Sequence, residues 1–157
     1  MALLGAWFDT MMLFYFILHI PTTVLVDSQS VIPQEYFPPF LIEMLQWHIK
    51  TNGDFLVDTN PPWFVALVCG EVFLQLPFFF VATYAYIAKK NWIRIPALIY
   101  GVHTATTMIP IFGEILTVGN YQLAGIYAPY LVVPLLLATK MATTKTPFPP
   151  SSKPKRL

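Results

Sequence analysis

Two carboxylic acids sit at places where hydrocarbon would surround them. Asp27 closes the apolar stretch HIPTTVLVDSQSVIP (residues 19–33), and Glu71 lies inside the next one, PWFVALVCGEVFLQLPFFF (residues 62–80). The lost hydration of an ionisable group inside a bilayer must be offset, so such groups are candidates for function. Gln75 follows Glu71 by four residues and shares its helical face. This Glu/Gln stripe is either part of a ligand pocket or a polar contact between helices. Taken alone, Asp27 reads as an interfacial acid or as the cap of a following turn, because DSQS is a good cap sequence. Both acids fall in the same half of a bundle and converge only if their helices face each other. Asp54, in the intervening loop, could fold down to meet them. Two adjacent carboxyl groups cannot both ionise cheaply, so a pair would act as a single negative charge. In an aromatic-lined pocket that charge would attract a protonated amine, or stabilise a carbocation formed during proton transfer.

Other polar groups cluster by spacing. Thr106 and Thr107 follow His103 by three and four residues, placing imidazole and hydroxyls on one face. Intrahelical threonines often bond a preceding carbonyl instead, and that is expected for at least one of these. Tyr127 and Tyr130 are three apart, which suits a pocket wall or an interfacial aromatic belt. His19 stands two turns before Asp27; a lone histidine there is more often a satisfied core residue than a base. The three histidines lie on separate segments without HxxxH or HxxE spacing, which argues against a metal site. There is no glycine-rich phosphate loop and no basic–aromatic interleave suited to nucleic acid.

The elements that carry these residues are set by composition. Hydrophobic residues make up 56% of the 157-residue chain and charged residues 11%, against about 25% charged in soluble domains. Mean hydropathy is +0.60. The expected fold is an all-α integral membrane protein, because an isolated strand cannot satisfy its backbone in lipid. Four segments have the roughly 20 apolar residues that a span requires: Leu4 to Val26, Pro62 to Ala88, Ile95 to Val118 and Tyr121 to Met141. Every span contains proline (Pro21, Pro77, Pro96 with Pro110, Pro129 with Pro134), so a bundle of proline-kinked helices with room for a cavity is expected. The first span lacks the basic flank and cleavage site of a signal peptide. Cys69 reads as a small core residue.

Eight of the nine basic residues fall between spans two and three or after span four; Lys50 is the exception. The positive-inside rule then places both termini in the cytoplasm. The first loop, Asp27 to Pro61, faces the other side and is too long for a plain connector. Its segment YFPPFLIEMLQWHIKTNGD has near-helical apolar spacing, fits an amphipathic helix over the bundle mouth, and has a stop at Asn52-Gly53. The expected organisation is a membrane domain over residues 4–141 and a disordered cytoplasmic tail over 142–157. That tail ends KPKRL, similar to a dilysine retrieval signal of the endoplasmic reticulum.

The blocks HIPTTVLVDSQSVIP, PPWF, CGEVFLQLPFF, ATYAY, NWIRIPALIYGVHTATTMIP and IYAPYLVVP occur in an order and spacing that resemble the EXPERA-domain membrane proteins. That family includes the sigma-2 receptor and the emopamil-binding sterol isomerase; the match is closer to the receptor. The resemblance covers about Phe14 to Pro134. It implies four helices, a cavity opening within the membrane and a homodimer. It also implies a ligand-binding acid at Asp27, a second acid at Asp54 bracing the first, and cavity positions Glu71 and Gln75. His19, Thr107, Ile126, Tyr127 and Tyr130 would complete the pocket. The implied ligands are sterols and cationic amphiphilic amines. The implied setting is cholesterol homeostasis, with a Niemann–Pick type C sterol transporter as a candidate partner.

The leading expectation is therefore a non-enzymatic sterol and amine receptor of the endoplasmic reticulum membrane, without cofactor, metal or nucleic acid. The first alternative is a sterol Δ8–Δ7 isomerase, which needs an acid and a base on opposite faces of the sterol, from Glu71 with His103 or His19. Glu114 lies past Pro110 at the far end of span three, an unsuitable place for the second intramembrane acid. The second alternative is a trafficking adaptor for a sterol transporter.

Overall fold

The structure is a computed structural model that describes residues 2–149, with side chains from residue 5 onward. It is helical, with no strand among the described residues. Helix α1 (Ala2–Leu25) ends in a tight 3-10 turn, Asp27–Ser30. The first loop holds α2 (Pro39–Asn52) and the short α3 (Phe55–Thr59). The second span is α4 (Pro62–Gly70), a π-helical turn (Glu71–Gln75) and α5 (Leu76–Ile87). Helices α6 (Arg94–Val118) and α7 (Tyr121–Thr143) follow, joined only by Gly119 and Asn120. Four helical segments are long and apolar enough to cross a membrane: Gly5–Ser30, Pro62–Ile87, Asn91–Val118 and Tyr121–Thr143. The chain is a multi-pass membrane protein.

The prolines act in two ways. Pro21, Pro110, Pro129 and Pro134 lie inside helices. Pro77 sits in the first turn of α5. It has no N–H to return to the preceding turn, and the backbone N–H of Leu76 bonds back five residues to Glu71. The chain accommodates the break as a π turn, a form concentrated at functional sites. The second span is thus three pieces rather than one helix, and the irregular piece carries Glu71 and Gln75.

Helix α6 packs along α7, and α1 along α5. Ala97, Gly101 and Ala105 recur every four residues on α6 and are buried. A methyl group on Gly101 would lie 2.7 Å from the Pro134 carbonyl oxygen and 3.0 Å from Ala138. Small residues of this kind let membrane helices approach backbone to backbone. Two apolar clusters result. One, centred on Met12, Phe16, Phe79, Tyr86 and Tyr100, lies toward the end of the bundle where α1 begins and α7 finishes. The other, centred on Leu56, Phe64, Met108, Ile115 and Leu123, lies toward the first loop.

At the end where α1 begins and α7 finishes, the chain remains packed past residue 141. Helix α7 runs to Thr143, two residues beyond the expected boundary at 141, and Phe148 then returns to Asn91. Phe148 is buried, its ring edge-on to Tyr86 at 5.2 Å. Its N–H donates to Asn91 Oδ1 at 2.8 Å, and its carbonyl accepts from Asn91 Nδ2 at 3.0 Å. Residues 150–157, with the KPKRL motif, lie outside the described residues. Charges tie the same end together. Asp9, an acid of α1 that the spacing arguments pass over, pairs with Lys140 of α7 and lies 4.0 Å from Lys89. Arg94 donates to the carbonyls of Met141 and Ala142, where α7 runs out of internal partners.

Candidate functional site

Thr23 stands near the end of α1, and Asp27 opens the 3-10 turn that follows it, four residues on. Thr23 is fully buried and donates to Glu71 Oε1 at 2.7 Å. Asp27 lies near enough to Glu71 for their charges to interact, and both line the same cavity. The two acids and the threonine therefore form one cluster across α1 and the π turn. The spans do face each other, which the sequence left open. One turn further along, Gln75 is buried and accepts from Thr104 Oγ1 of α6 at 3.1 Å.

This cluster forms part of the wall of a cavity of about 350 Å³, within the roughly 300–1,000 Å³ of small-molecule sites. All nine residues expected at the site line it: His19, Asp27, Asp54, Glu71, Gln75, Thr107, Ile126, Tyr127 and Tyr130. The apolar wall comes mainly from α4 and α6, with Phe64, Val68, Met108 and Ile111. The amphipathic helix of the first loop is α2, ended by Gly53 in the left-handed conformation at φ 62°. It turns Leu45 and His48 to the cavity and leaves Phe40, Met44 and Trp47 exposed.

Asp54 is held by contacts that spacing does not specify. It is fully buried, caps α3 by accepting from the Val57 N–H at 3.2 Å, and accepts from Tyr127 at 2.9 Å. His48 Nε2 lies 3.0 Å from Oδ2, the same oxygen that accepts from Tyr127. Among the described residues Asp54 bonds directly to Tyr127 and to the loop, and both Asp54 and Asp27 line the cavity. Asn120 adds to this latch. It caps α7 by accepting from the Leu123 N–H at 3.0 Å, and its amide donates to the Asn52 carbonyl at 2.9 Å. Asn120→Ala removes both contacts and is expected to cost about 1–2 kcal/mol, since loss of a helix cap alone costs about 1. Thermal unfolding in detergent would read this as a lower Tm; an unchanged Tm would contradict the latch.

One candidate base is not brought to the site: His103 does not line the cavity. Glu114, unsuited by its place past Pro110, is exposed. Thr106 donates to the Val102 carbonyl and Thr107 to the Thr104 carbonyl, the intrahelical bonding expected of such residues, although Thr107 still borders the cavity. The sequence reading missed Thr23, whose spacing to Asp27 was a usable signal. It also missed Tyr15 and Tyr100, whose hydroxyls meet at 3.1 Å on the cavity wall, and His48. Among the described residues no group of three or more His, Cys, Asp or Glu could hold a metal ion.

Comparison with known proteins agrees with this architecture. The chain is 41% identical to sigma intracellular receptor 2 of Xenopus tropicalis, over 90% of this chain and 91% of the relative. It is 38% identical to the Homo sapiens protein of the same name, over 78% and 80% of the two chains. It is 31% identical to efficient mitochondria targeting-associated protein 19 of Saccharomyces cerevisiae, over 80% and 91%. Residues 40–141 match the model of the EXPERA (EXPanded EBP superfamily) proteins, and the chain belongs to that family.

Proposed function

We propose that the chain is an intramembrane receptor for sterols and cationic amphiphilic amines, acting in cholesterol homeostasis. The observation that carries this reading is the placement of Asp27 against Glu71 on the wall of one mostly apolar cavity. Two carboxyl groups so close act as a single negative charge, because double ionisation in a low-dielectric site is prohibitive. A ligand ammonium neutralises that charge, while Tyr127, Tyr130 and the apolar wall enclose its hydrocarbon body. Sterols occupy the same apolar volume. On this reading the protein resides in the endoplasmic reticulum membrane with both termini cytoplasmic. It works as a homodimer and partners a sterol transporter of the Niemann–Pick type C kind.

One cavity implies competition. Purified protein in sterol-free nanodiscs is expected to bind a radiolabelled cationic amphiphilic amine that cholesterol displaces completely. Independent binding of the two would refute the shared site.

The isomerase reading retains one supporting observation: Glu71 and His19 line the same cavity, so an acid and a base are both present. Expression in a sterol-isomerase-deficient yeast separates the two. The receptor reading expects no rescue; rescue that Glu71→Gln abolishes would make the protein an enzyme. The adaptor reading rests on KPKRL alone.

A further inference from the structure

We infer that one side of α2 is a lipid-docking surface. Phe40, Met44 and Trp47 embed in the headgroup–acyl boundary of the leaflet at the first-loop end and fix that wall of the cavity to the bilayer. The inference does not depend on what the cavity binds.

Hydrogen bonds at both ends set the depth of α2. Near its start, Gln29 Nε2 donates to the Leu41 carbonyl at 3.4 Å. Gln29 lies in the turn that closes the first span. At its finish, Asn120 Nδ2 donates to the Asn52 carbonyl at 2.9 Å and to the Gly53 carbonyl at 3.3 Å. Asn120 belongs to the short turn between the third and fourth spans, which marks the edge of the bilayer. Both ends of α2 are therefore tied to span ends. The helix lies along the membrane surface instead of standing out of it.

The helical period then decides what each side meets. Leu45 and His48 line the cavity, and Leu41 is buried beside them. Glu43 and Lys50 stand on the opposite side and are exposed. At about 3.6 residues per turn, Phe40, Met44 and Trp47 fall roughly a quarter turn from both sides. Ile42 and Ile49 take the other flank and are half-buried. With the cavity below and the charges above, the stripe points sideways along the membrane plane, its three residues at a common depth. Phe40 and Trp47 are each 65% exposed and Met44 is 44% exposed. A contiguous apolar row of this kind marks a contact surface. The boundary region of a bilayer suits tryptophan and phenylalanine on a helix whose polar face carries a lysine. The spans that hold α2 already meet lipid, so the stripe continues an existing contact. Because α2 carries Leu45 and His48, moving this wall off the cavity requires drawing the stripe out of the lipid.

The test is a cysteine scan of the full chain in phosphatidylcholine nanodiscs, with Cys69→Ala removing the one native thiol. Phe40→Cys, Met44→Cys and Trp47→Cys each carry a nitroxide label; Glu43→Cys and Lys50→Cys are the water-facing references. Power-saturation EPR compares relaxation by oxygen, which concentrates in lipid, with relaxation by Ni-EDDA, which stays in water. Oxygen is expected to dominate at positions 40, 44 and 47, and Ni-EDDA at 43 and 50. Dominance of Ni-EDDA at all of them would overturn the inference, because the stripe would then face water. Exclusion of both reagents from 40, 44 and 47 would overturn it in favour of a protein cover, such as a second copy of the chain. If the cysteine variants are not monodisperse, the native side chain gives the answer. The emission due to Trp47, taken as wild type minus Trp47→Phe, is expected to fall when the discs contain phosphatidylcholine brominated near the headgroup. An unchanged difference would reject lipid contact.

Discussion

Asp27→Asn is expected to weaken binding of a cationic amphiphilic amine by about 30-fold or more, because losing one partner of a desolvated charge pair costs about 2–5 kcal/mol. The substitution keeps size and polarity, and the Thr23–Glu71 hydrogen bond beside it does not involve Asp27, so the fold should persist. Glu71→Gln is the informative companion. An amide resembles a protonated carboxyl, and its oxygen can still accept from Thr23. That variant should retain most amine affinity, because Asp27 then carries the charge alone. Radioligand saturation on monodisperse protein checks both. Loss at Glu71 with retention at Asp27 would reverse the assignment of the two acids.

Gly101→Val is expected to prevent assembly of a monodisperse protein, and Gly101→Ala to lower its Tm by several degrees. The added carbon meets backbone, the Pro134 carbonyl at 2.7 Å and the Ala138 nitrogen at 3.0 Å, rather than a side chain that could swing aside. Overpacking of a tight interface costs about 1–3 kcal/mol and sometimes more, and here it must push α6 away from α7 along their whole contact. Gly113, on the same helix, is the control. It is exposed, and a methyl group there meets nothing within 4 Å. Gly113→Ala should leave stability unchanged or raise it by about 0.5–1 kcal/mol, the usual gain in a helix interior. Size-exclusion profiles and thermal unfolding in detergent distinguish the two positions. Equal behaviour would mean that the close α6–α7 approach does not govern stability.

Much of this arrangement is legible in the sequence because the bilayer leaves few choices. Four apolar runs must be helices, and an acid within one must find a partner; Glu71 advertises itself on those grounds alone. The amphipathic helix of the first loop is equally readable, from its apolar spacing and the Asn52-Gly53 stop. Asp27 is harder. Its neighbours are those of an ordinary turn cap, and only the packing of α1 against the π turn converts it into half of a pair. Asp54 shows the limit of resemblance. Its place on the cavity wall was anticipated, but its bonds run to Tyr127, His48 and the Val57 N–H, none of which spacing specifies. The docked Phe148 is hidden for a related reason. Composition describes the average of a proline-rich tail, whereas this contact depends on one side chain and one asparagine clamp. Thr23 was within reach, since it precedes Asp27 by four residues.

The most direct measurement is an experimental structure of the protein with a cationic amphiphilic amine bound. The account predicts the ammonium nitrogen about 2.7–3.2 Å from an Asp27 carboxylate oxygen, with Glu71 behind it and the hydrocarbon body between Tyr127, Tyr130 and α6. A ligand seated with its nitrogen turned away from both acids, or outside the cavity altogether, would contradict it.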